Sequence, residues 1–366
     1  MTLETPFVEN NLPTPANEPS KLDAFLGKMV GDMGAAISAA LVVMGDKLGF
    51  YKALADGGPQ TSAELAARTG TAERYVREWL AAQAASEYVQ YEPATGRYSL
   101  SPEQKMVFAD EGGPAFMAGG FEVLSAAFRD EPKITNAFRT GQGVGWHEHD
   151  TCLFRGTERF FRPGYNANLV SSWIPALDGV DERLREGAKV ADVGCGVGFS
   201  TLLMAEAFPN SRFVGYDFHE PSIEEARRHA ETHGLSDRVS FKAASVKEIQ
   251  ETGFDLATAF DCLHDMGDPR GCARQMRRIL KDDGVWMVVE PIAGDRPAEN
   301  LNPVGRLYYN ASTMVCVPTS LDQEVGEGLG AQAGQAKLSE VIRDGGFTRV
   351  RRATEGPFNM VLEARA

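Results

Sequence analysis

Val190-Ala191-Asp192-Val193-Gly194-Cys195-Gly196-Val197-Gly198 is the stretch that decides the fold. An apolar run ends on an acid and passes into a loop with glycine at every second position. Glycines there let the backbone turn sharply and approach a ligand that a Cβ would hold away. The spacing is GxGxG. The dinucleotide fingerprint is GxGxxG, and shifting the frame reaches Thr201 instead of a third glycine, so the fingerprint is not recovered. Farther on, Arg212-Phe213-Val214-Gly215-Tyr216 ends in Asp217. An acid closing the second strand suits a bidentate hydrogen bond to ribose hydroxyls.

Working outward, apolar strands are predicted at 189–193, 212–216, 239–242, 254–260, 285–290, 348–353 and 360–364. Helical segments separate the first five, as in a doubly wound, mostly parallel α/β sheet of Rossmann-like type. The last two follow closely and are expected to close the sheet as an antiparallel hairpin. This catalytic domain is expected over 181–366.

Upstream, 21–54 reads as Ala-rich helix, with small residues from Gly31 to Ala40 that fit a core helix or a dimer contact equally. Thr61 and Glu64 make a capping box. Gly70 ends that helix, Thr71 is expected to cap the next, and Tyr75, Val76, Trp79 and Leu80 are expected on one face. Two short strands around Pro93 and Gly96 read as a hairpin. Helix, turn, helix and hairpin describe a winged helix within 21–110. Residues 111–180 are expected to be a helical linker or lid, carrying Trp146-His147-Glu148-His149 and several aromatics. The His-x-His pair lacks a third ligand at helical spacing and reads as a solvated or substrate-facing loop, so no metal is expected.

Composition narrows the function. Lys and Arg total 37 against 51 Asp and Glu, a formal charge of −14. Such a chain is repelled by nucleic-acid phosphates and anionic membranes unless a basic patch intervenes, and none is evident. Between Thr61 and Ser101, Arg68, Arg74, Arg77 and Arg97 face Glu64, Glu73, Glu78, Glu87 and Glu92, a net of −1. A groove-reading helix needs a basic surface, so nucleic acid is not the expected partner. Cys152, Cys195, Cys262, Cys272 and Cys316 are scattered without a CxxC pair, which fits a reducing cytoplasm. Residues 1–20 lack a basic start and apolar run and are expected to be a loose arm. The uncharged run 33–45 is too short to span a bilayer.

The GxGxG loop led by an acid resembles motif I of class I methyltransferases, which use S-adenosylmethionine and release S-adenosylhomocysteine. That cofactor has no pyrophosphate, and no phosphate-binding lysine follows the loop. The resemblance implies that Asp192 faces the methionine end, that Gly194, Cys195, Gly196 and Gly198 run beneath the cofactor, and that Asp217 with Phe218 holds the ribose. Where the family often has an acid near adenine, this chain reads Ala243-Ala244-Ser245-Val246, so Ala244 and Ser245 are the expected contacts. Phe260-Asp261-Cys262-Leu263-His264-Asp265-Met266-Gly267-Asp268 resembles the HDWxD stretch of O-methyltransferases with an N-terminal winged-helix dimerisation domain. There the histidine is the general base. His264 is the matching base and Asp265 its partner, with Met266 in place of Trp, and Phe260 and Asp261 border the methionine end.

The expected function is therefore methyl transfer to a small organic acceptor, at oxygen, by a homodimer. Nitrogen or carbon methylation on the same scaffold is the alternative. A DNA-binding regulator with the cofactor as effector is disfavoured by charge, and an NAD-dependent oxidoreductase by the GxGxG spacing. Asn300, Arg306, Tyr308, Tyr309 and Asn310 lie in an insertion between Pro291 and Val341 that is expected to wall the acceptor pocket.

Overall fold

The computed structural model describes residues 20–366. The expected arm, 1–20, lies outside the described residues apart from Ser20. Fourteen α-helices and nine strands follow. The amino-terminal part comprises α1 (Lys21–Lys47), α2 (Phe50–Gly57), α3 (Ser62–Thr69), α4 (Glu73–Ala85), β1 (Gln90–Glu92), β2 (Arg97–Ser99) and α5 (Pro102–Phe108). Ser20 opens α1 through a capping box with Asp23, and Thr61 opens α3 through one with Glu64. These side chains satisfy amides that have no partner inside the helix.

Two details of the winged helix differ from expectation. Thr71 stands one residue too early to cap α4, which begins after Ala72 without a side-chain cap; its hydroxyl pairs with Thr69 instead. Tyr75 is 81% exposed, because the buried stripe runs Val76, Trp79, Leu80 and Gln83. The small core is built on Tyr51, Trp79 and Phe108, with Tyr51 donating to the buried Gln83 amide oxygen at 2.5 Å.

Two long helices join the halves: α6 (Ala118–Thr140) and α7 (Cys152–Asn168). They cross closely because glycines stand at the contact. A Cβ on Gly119 would come within 2.5 Å of Arg159, and one on Gly156 within 2.7 Å of the Val123 amide. Arg159 on α7 donates to Asp46 at the end of α1, to Glu111 and to Glu122 of α6. This largely buried cluster ties winged helix, linker and lid together.

After α8 (Val180–Glu186) comes the sheet: β3 (Lys189–Val193), β4 (Arg212–Asp217), β5 (Val239–Ala243), β6 (Phe254–Phe260), β7 (Leu280–Pro291), β8 (Arg349–Glu355) and β9 (Asn359–Arg365). Its order is β5-β4-β3-β6-β7-β9-β8, with β9 antiparallel between β7 and β8 and the first five strands parallel. The seven predicted strands thus hold, as does their closing hairpin. Helices α9 (Phe199–Ala207), α10 (Glu220–Thr232), α11 (Pro269–Ile279) and α14 (Gly334–Asp344) cover its faces over two apolar layers. Short α12 (Pro303–Ala311) and α13 (Val317–Asp322) form the insertion after β7. The chain leaves β3 in one direction and β6 in the other, so the crevice lies at the carboxyl ends of those adjacent strands.

The first half of α1 stands apart. Leu22, Phe25, Leu26, Val30, Met33 and Ile37 are each more than half exposed, and nothing lies near Gly27, Gly31 or Gly34. By length and composition α1 is apolar enough to cross a membrane, which the run 33–45 alone did not reveal. Within the chain its Asp32 pairs with Lys28 and with Arg306 of α12.

Candidate active site

A cavity of about 560 Å³ opens over the carboxyl ends of β3, β4 and β6, within the size range of cofactor sites. The parallel strands deliver carboxylates there: Asp217 ends β4 and Asp261 follows β6, while Glu290 near the end of β7 is buried behind the surface. A second depression at the opposite edge of the sheet, bounded by Gly187, Asn210 and Ser236, gathers none of these groups.

The glycine loop forms the floor. Gly194 and Gly196 both have positive φ, +74° and +52°, which side-chain-bearing residues rarely adopt. A Cβ on Gly194 would strike Cys262 Sγ at 2.7 Å, whereas one on Gly196 would meet only open space. Gly196 N–H donates to Asp217 Oδ2 at 2.9 Å, and His219 N–H to Asp217 Oδ1 at 2.9 Å. Each oxygen keeps a lone pair for a ligand hydroxyl. Burial raises the Asp217 carboxyl above its usual value, with the backbone amides pulling the other way.

Of the expected site residues, Gly194, Cys195, Gly196, Asp217, Phe218, Ala244, Ser245, Phe260, Asp261 and Asp265 line the cavity. The Ser245 hydroxyl donates to Glu248 at 2.8 Å, which leaves it acceptor capacity for an amine. Cys195 Sγ points toward Gly215 in the sheet, so the loop presents backbone there.

Three expected site residues stand behind the surface. Asp192 is fully buried and takes hydrogen bonds from Ser200 (2.7 Å), Thr201 (2.6 Å) and Thr258 (2.8 Å). Its charge is spent on pinning the start of α9 to the ends of β3 and β6, not on a ligand. Gly198 is a packing glycine: a Cβ there would meet Phe241 at 2.5 Å. His264 is also buried and does not line the cavity. The turn Leu263–Asp265 directs its ring inward, where Nδ1 lies 2.5 Å from Glu290 Oε2 and Nε2 lies 3.0 Å from Asp265 Oδ1. Glu290 Oε1 also accepts from Leu263 N–H at 2.9 Å. Burial alone would lower the His264 pKa, but the flanking Asp265 and Glu290 carboxylates outweigh it and hold it well above the usual value. An imidazole enclosed this way is not the open-faced base that the resemblance implied. Asp265 stands between it and the cavity.

Asp261 faces the cavity with φ +49°. Tyr165 donates to its Oδ2 at 2.9 Å and Asn359 to its Oδ1 at 2.7 Å. Burial, with Glu290 nearby, pushes its carboxyl up to about 7.

The roof comes from α7 and the turn before it: Trp146, Phe154, Glu158, Phe161, Arg162 and Tyr165. Trp146, Phe154 and His219 pack in series at 5.2 and 5.4 Å between rings, closing the lid over the loop after β4. In the His-x-His segment His147 and Glu148 are exposed, whereas His149 is buried with Nδ1 3.0 Å from Asp130. The insertion walls the cavity through Thr319, Gln323 and Glu324. The residues expected there serve the fold: the Tyr308 hydroxyl donates to the Phe358 carbonyl and Asn300 pairs with Gly294, while Arg306, Tyr309 and Asn310 do not line the cavity.

Residues 184–346 match the family model of the methyltransferase domain, and residues 35–109 match that of the Rv2258c-like winged HTH domain. The chain carries a methyltransferase domain behind a winged-helix domain. The chain is 34% identical over 200 residues to the sterol 24-C-methyltransferase erg6 of Aspergillus fumigatus, covering 51% of this chain and 49% of that protein. It is 32% identical over 106 residues to a ubiquinone biosynthesis O-methyltransferase of Actinobacillus pleuropneumoniae, covering 27% and 44%. The chain thus spans about half the length of these curated relatives or less. In fold, human N-acetylserotonin methyltransferase superposes with TM-score 0.73 at 16% identity, covering 95% of this chain and 99% of that one. Mitomycin 7-O-methyltransferase gives 0.68 at 21%, covering 95% and 100%. The likeness to these two solved structures extends through the winged helix and lid.

Proposed function

We propose that the chain transfers a methyl group from S-adenosylmethionine to the oxygen of a small organic acceptor with an acidic hydroxyl, a phenol above all, releasing S-adenosylhomocysteine. The observation that carries this is the floor of the cavity: at Gly196 a Cβ would stand in open cavity, and that residue's amide is bound to Asp217. This cradle fits an adenosyl group, with Asp217 toward the ribose hydroxyls and Ala244 and Ser245 toward adenine. When bound, the cofactor supplies an electrophilic methyl on a sulfonium. The chain's own part is to bind, align and exclude water. Phe154, Phe161, Tyr165 and Phe260 offer aromatic walls to a flat acceptor. Asp265, which lines the cavity, is the group at hand to deal with the acceptor proton, with His264 behind it clamped by Glu290.

Carbon methylation is the second reading, favoured by the name of the A. fumigatus relative. A screen of phenols, alcohols, amines and activated carbons with isotopically labelled methyl donor decides between them. Label found only on nitrogen or carbon would overturn the oxygen assignment. Regulation of DNA is not favoured, because α4 spends its arginines internally: Arg74 pairs with Glu78 and Arg77 with Glu73.

The proposal extends to a homodimer formed through the first half of α1. An isolated helix is marginal in water without a partner for its apolar face, and Gly27, Gly31 and Gly34 leave room for a second copy to approach. Five free cysteines suit a cytoplasmic setting.

A further inference from the structure

We propose that Thr319 and Asp265 form a paired polar seat for the acceptor, and that the acceptor is a phenol with an uncharged oxygen on the ring carbon next to its reacting hydroxyl. This rests on the oxygen-methylation reading above and narrows its substrate class.

Thr319 is 3% exposed and lines the cavity, yet its hydroxyl has no hydrogen-bond partner in the chain. A helical threonine can bond the carbonyl one turn back, as Thr313 of the same insertion does with Tyr309 at 2.8 Å. Thr319 does not. A buried hydroxyl left so is costly unless something binds it, and a ligand in the cavity is the partner this position can reach. Just before it, the insertion makes the wide π-helical turn Ser312–Cys316. Such turns are rare and concentrate at functional sites.

Thr319 and Asp265 are held side by side. Gln323 Nε2 donates to the Thr319 carbonyl at 3.0 Å and to the Asp265 carbonyl at 2.9 Å, so the two backbones meet on one nitrogen. Gln323 Oε1 accepts from Gly267 N–H at 3.0 Å, and the Ser320 hydroxyl donates to the Met266 carbonyl at 2.8 Å, which locks the insertion onto the loop after β6. Both residues line the same cavity.

The two side chains offer different things. A carboxylate only accepts, whereas a hydroxyl also donates. Asp265 turns Oδ1 toward His264 at 3.0 Å, and its other oxygen is left to accept from the reacting hydroxyl. Thr319 then donates to an oxygen one ring position away. Oxygens on adjacent carbons of a flat ring meet both groups at once; a lone phenol leaves Thr319 unpaired. Asp265 and Asp268 both border the cavity from this loop, so a carboxylate in the adjacent position would be repelled. The neighbouring oxygen is therefore that of a hydroxyl, ether or carbonyl.

The test uses the full-length protein saturated with S-adenosylhomocysteine and three probes: catechol, resorcinol and ortho-cresol. The second oxygen is adjacent in the first, displaced in the second and replaced by a methyl group in the third. Ligand-observed NMR titration gives the affinities, and labelled methyl donor gives kcat/KM. Catechol should be preferred over both others by about tenfold, the worth of one hydrogen bond whose loss strands a buried hydroxyl. Thr319→Val keeps the shape and should erase the preference, whereas Thr319→Ser should retain it. Calorimetric binding of S-adenosylhomocysteine checks that each variant folds, and the wild-type preference is read without any variant. Equal affinity of the wild-type chain for the three probes, or a preference that survives in folded Thr319→Val, overturns the proposal. A preference for catechol that Thr319→Val erases, with no label transferred to oxygen, would leave the seat standing and overturn the oxygen-methylation reading instead.

Discussion

Tyr165 on the lid helix donates its hydroxyl proton to the Asp261 carboxylate at the end of β6, across 2.9 Å. This bond joins the roof of the cavity to its floor. Burial first, and then the neighbouring Asp261, keep the phenol protonated far above its usual range, so it remains a donor at any working pH. Asp261 adopts a left-handed backbone conformation that few residues other than glycine, asparagine and aspartate tolerate.

Tyr165→Phe should keep the packing against Phe161 and Phe260 but leave one oxygen of a buried carboxyl short of a donor. The expected cost is about 1–3 kcal/mol, read as a lower urea midpoint with unchanged slope. An unchanged midpoint would mean that the bond contributes nothing.

Asp261 also sets a pH dependence. Its carboxyl rises from 3.8 to about 7 in the folded chain, so the native state holds a proton that the unfolded chain has released. Its contribution is complete below pH 3.8 and is lost as pH rises through about 7. Asp261→Asn accepts the same backbone conformation and removes this titration. The variant should therefore gain stability relative to wild type between pH 5 and pH 8, measured by denaturation at both. Parallel pH profiles for the two proteins would refute it.

Much of this was legible in the sequence, for identifiable reasons. Strand positions follow from short apolar runs bounded by breakers, and all seven strands lie where those runs stand. Asp217, Gly194 and Gly196 were readable because ligand approach demands those residue types at that spacing. The inward turn of His264 was not. It depends on Glu290, which is remote in sequence, although a strand-end acid there is the same kind of signal that marked Asp217. Asp192 misled for a related reason: its hydroxyl partners Ser200 and Thr201 lie in the helix after the loop, and nothing local says that they consume the charge. The lid residues Phe161 and Tyr165 were visible only as aromatics.

Arg159 should be the pin between the winged helix and the lid. Its side chain is 7% exposed and Glu122 beneath it 2%. Arg159→Met leaves Glu122 with only the more exposed Arg155 beside it, at 3.1 Å, which should cost about 1–3 kcal/mol. Adding Glu122→Gln should recover part of that loss, because the under-compensated charge is then gone. Thermal unfolding of the single and double variants checks both points, and a double variant less stable than Arg159→Met would contradict the charge argument.

Two substitutions test the cofactor floor. Asp217→Ala should weaken S-adenosylhomocysteine binding by about 1.5–3 kcal/mol, the range for hydrogen bonds to a charged group. It also releases the amides of Gly196 and His219, so the loop should loosen. Gly196→Val places a branched side chain in the cavity at a positive φ and should abolish binding. Calorimetry reads both, and wild-type affinity in either variant would remove that residue from the site.

Assembly should run through α1. Val30, Met33 and Ile37 lie on its exposed apolar side, 69%, 66% and 68% accessible. Burying side chains of this size is worth about 1.5–3 kcal/mol each, and a second copy is the partner always present at matching concentration. Light scattering should therefore report a dimer. Met33→Glu with Ile37→Glu should yield a monomer, since each symmetric contact would hold charges away from water at a cost that exceeds the burial it replaces. The cavity lies in the other domain, so the monomer should still bind S-adenosylhomocysteine. A wild-type chain that is monomeric at micromolar concentration, or a double variant that remains dimeric, would rule out α1 as the contact. Retention of the wild-type chain on liposomes at physiological salt would point to a lipid surface as the partner of α1, in keeping with its length and apolar composition.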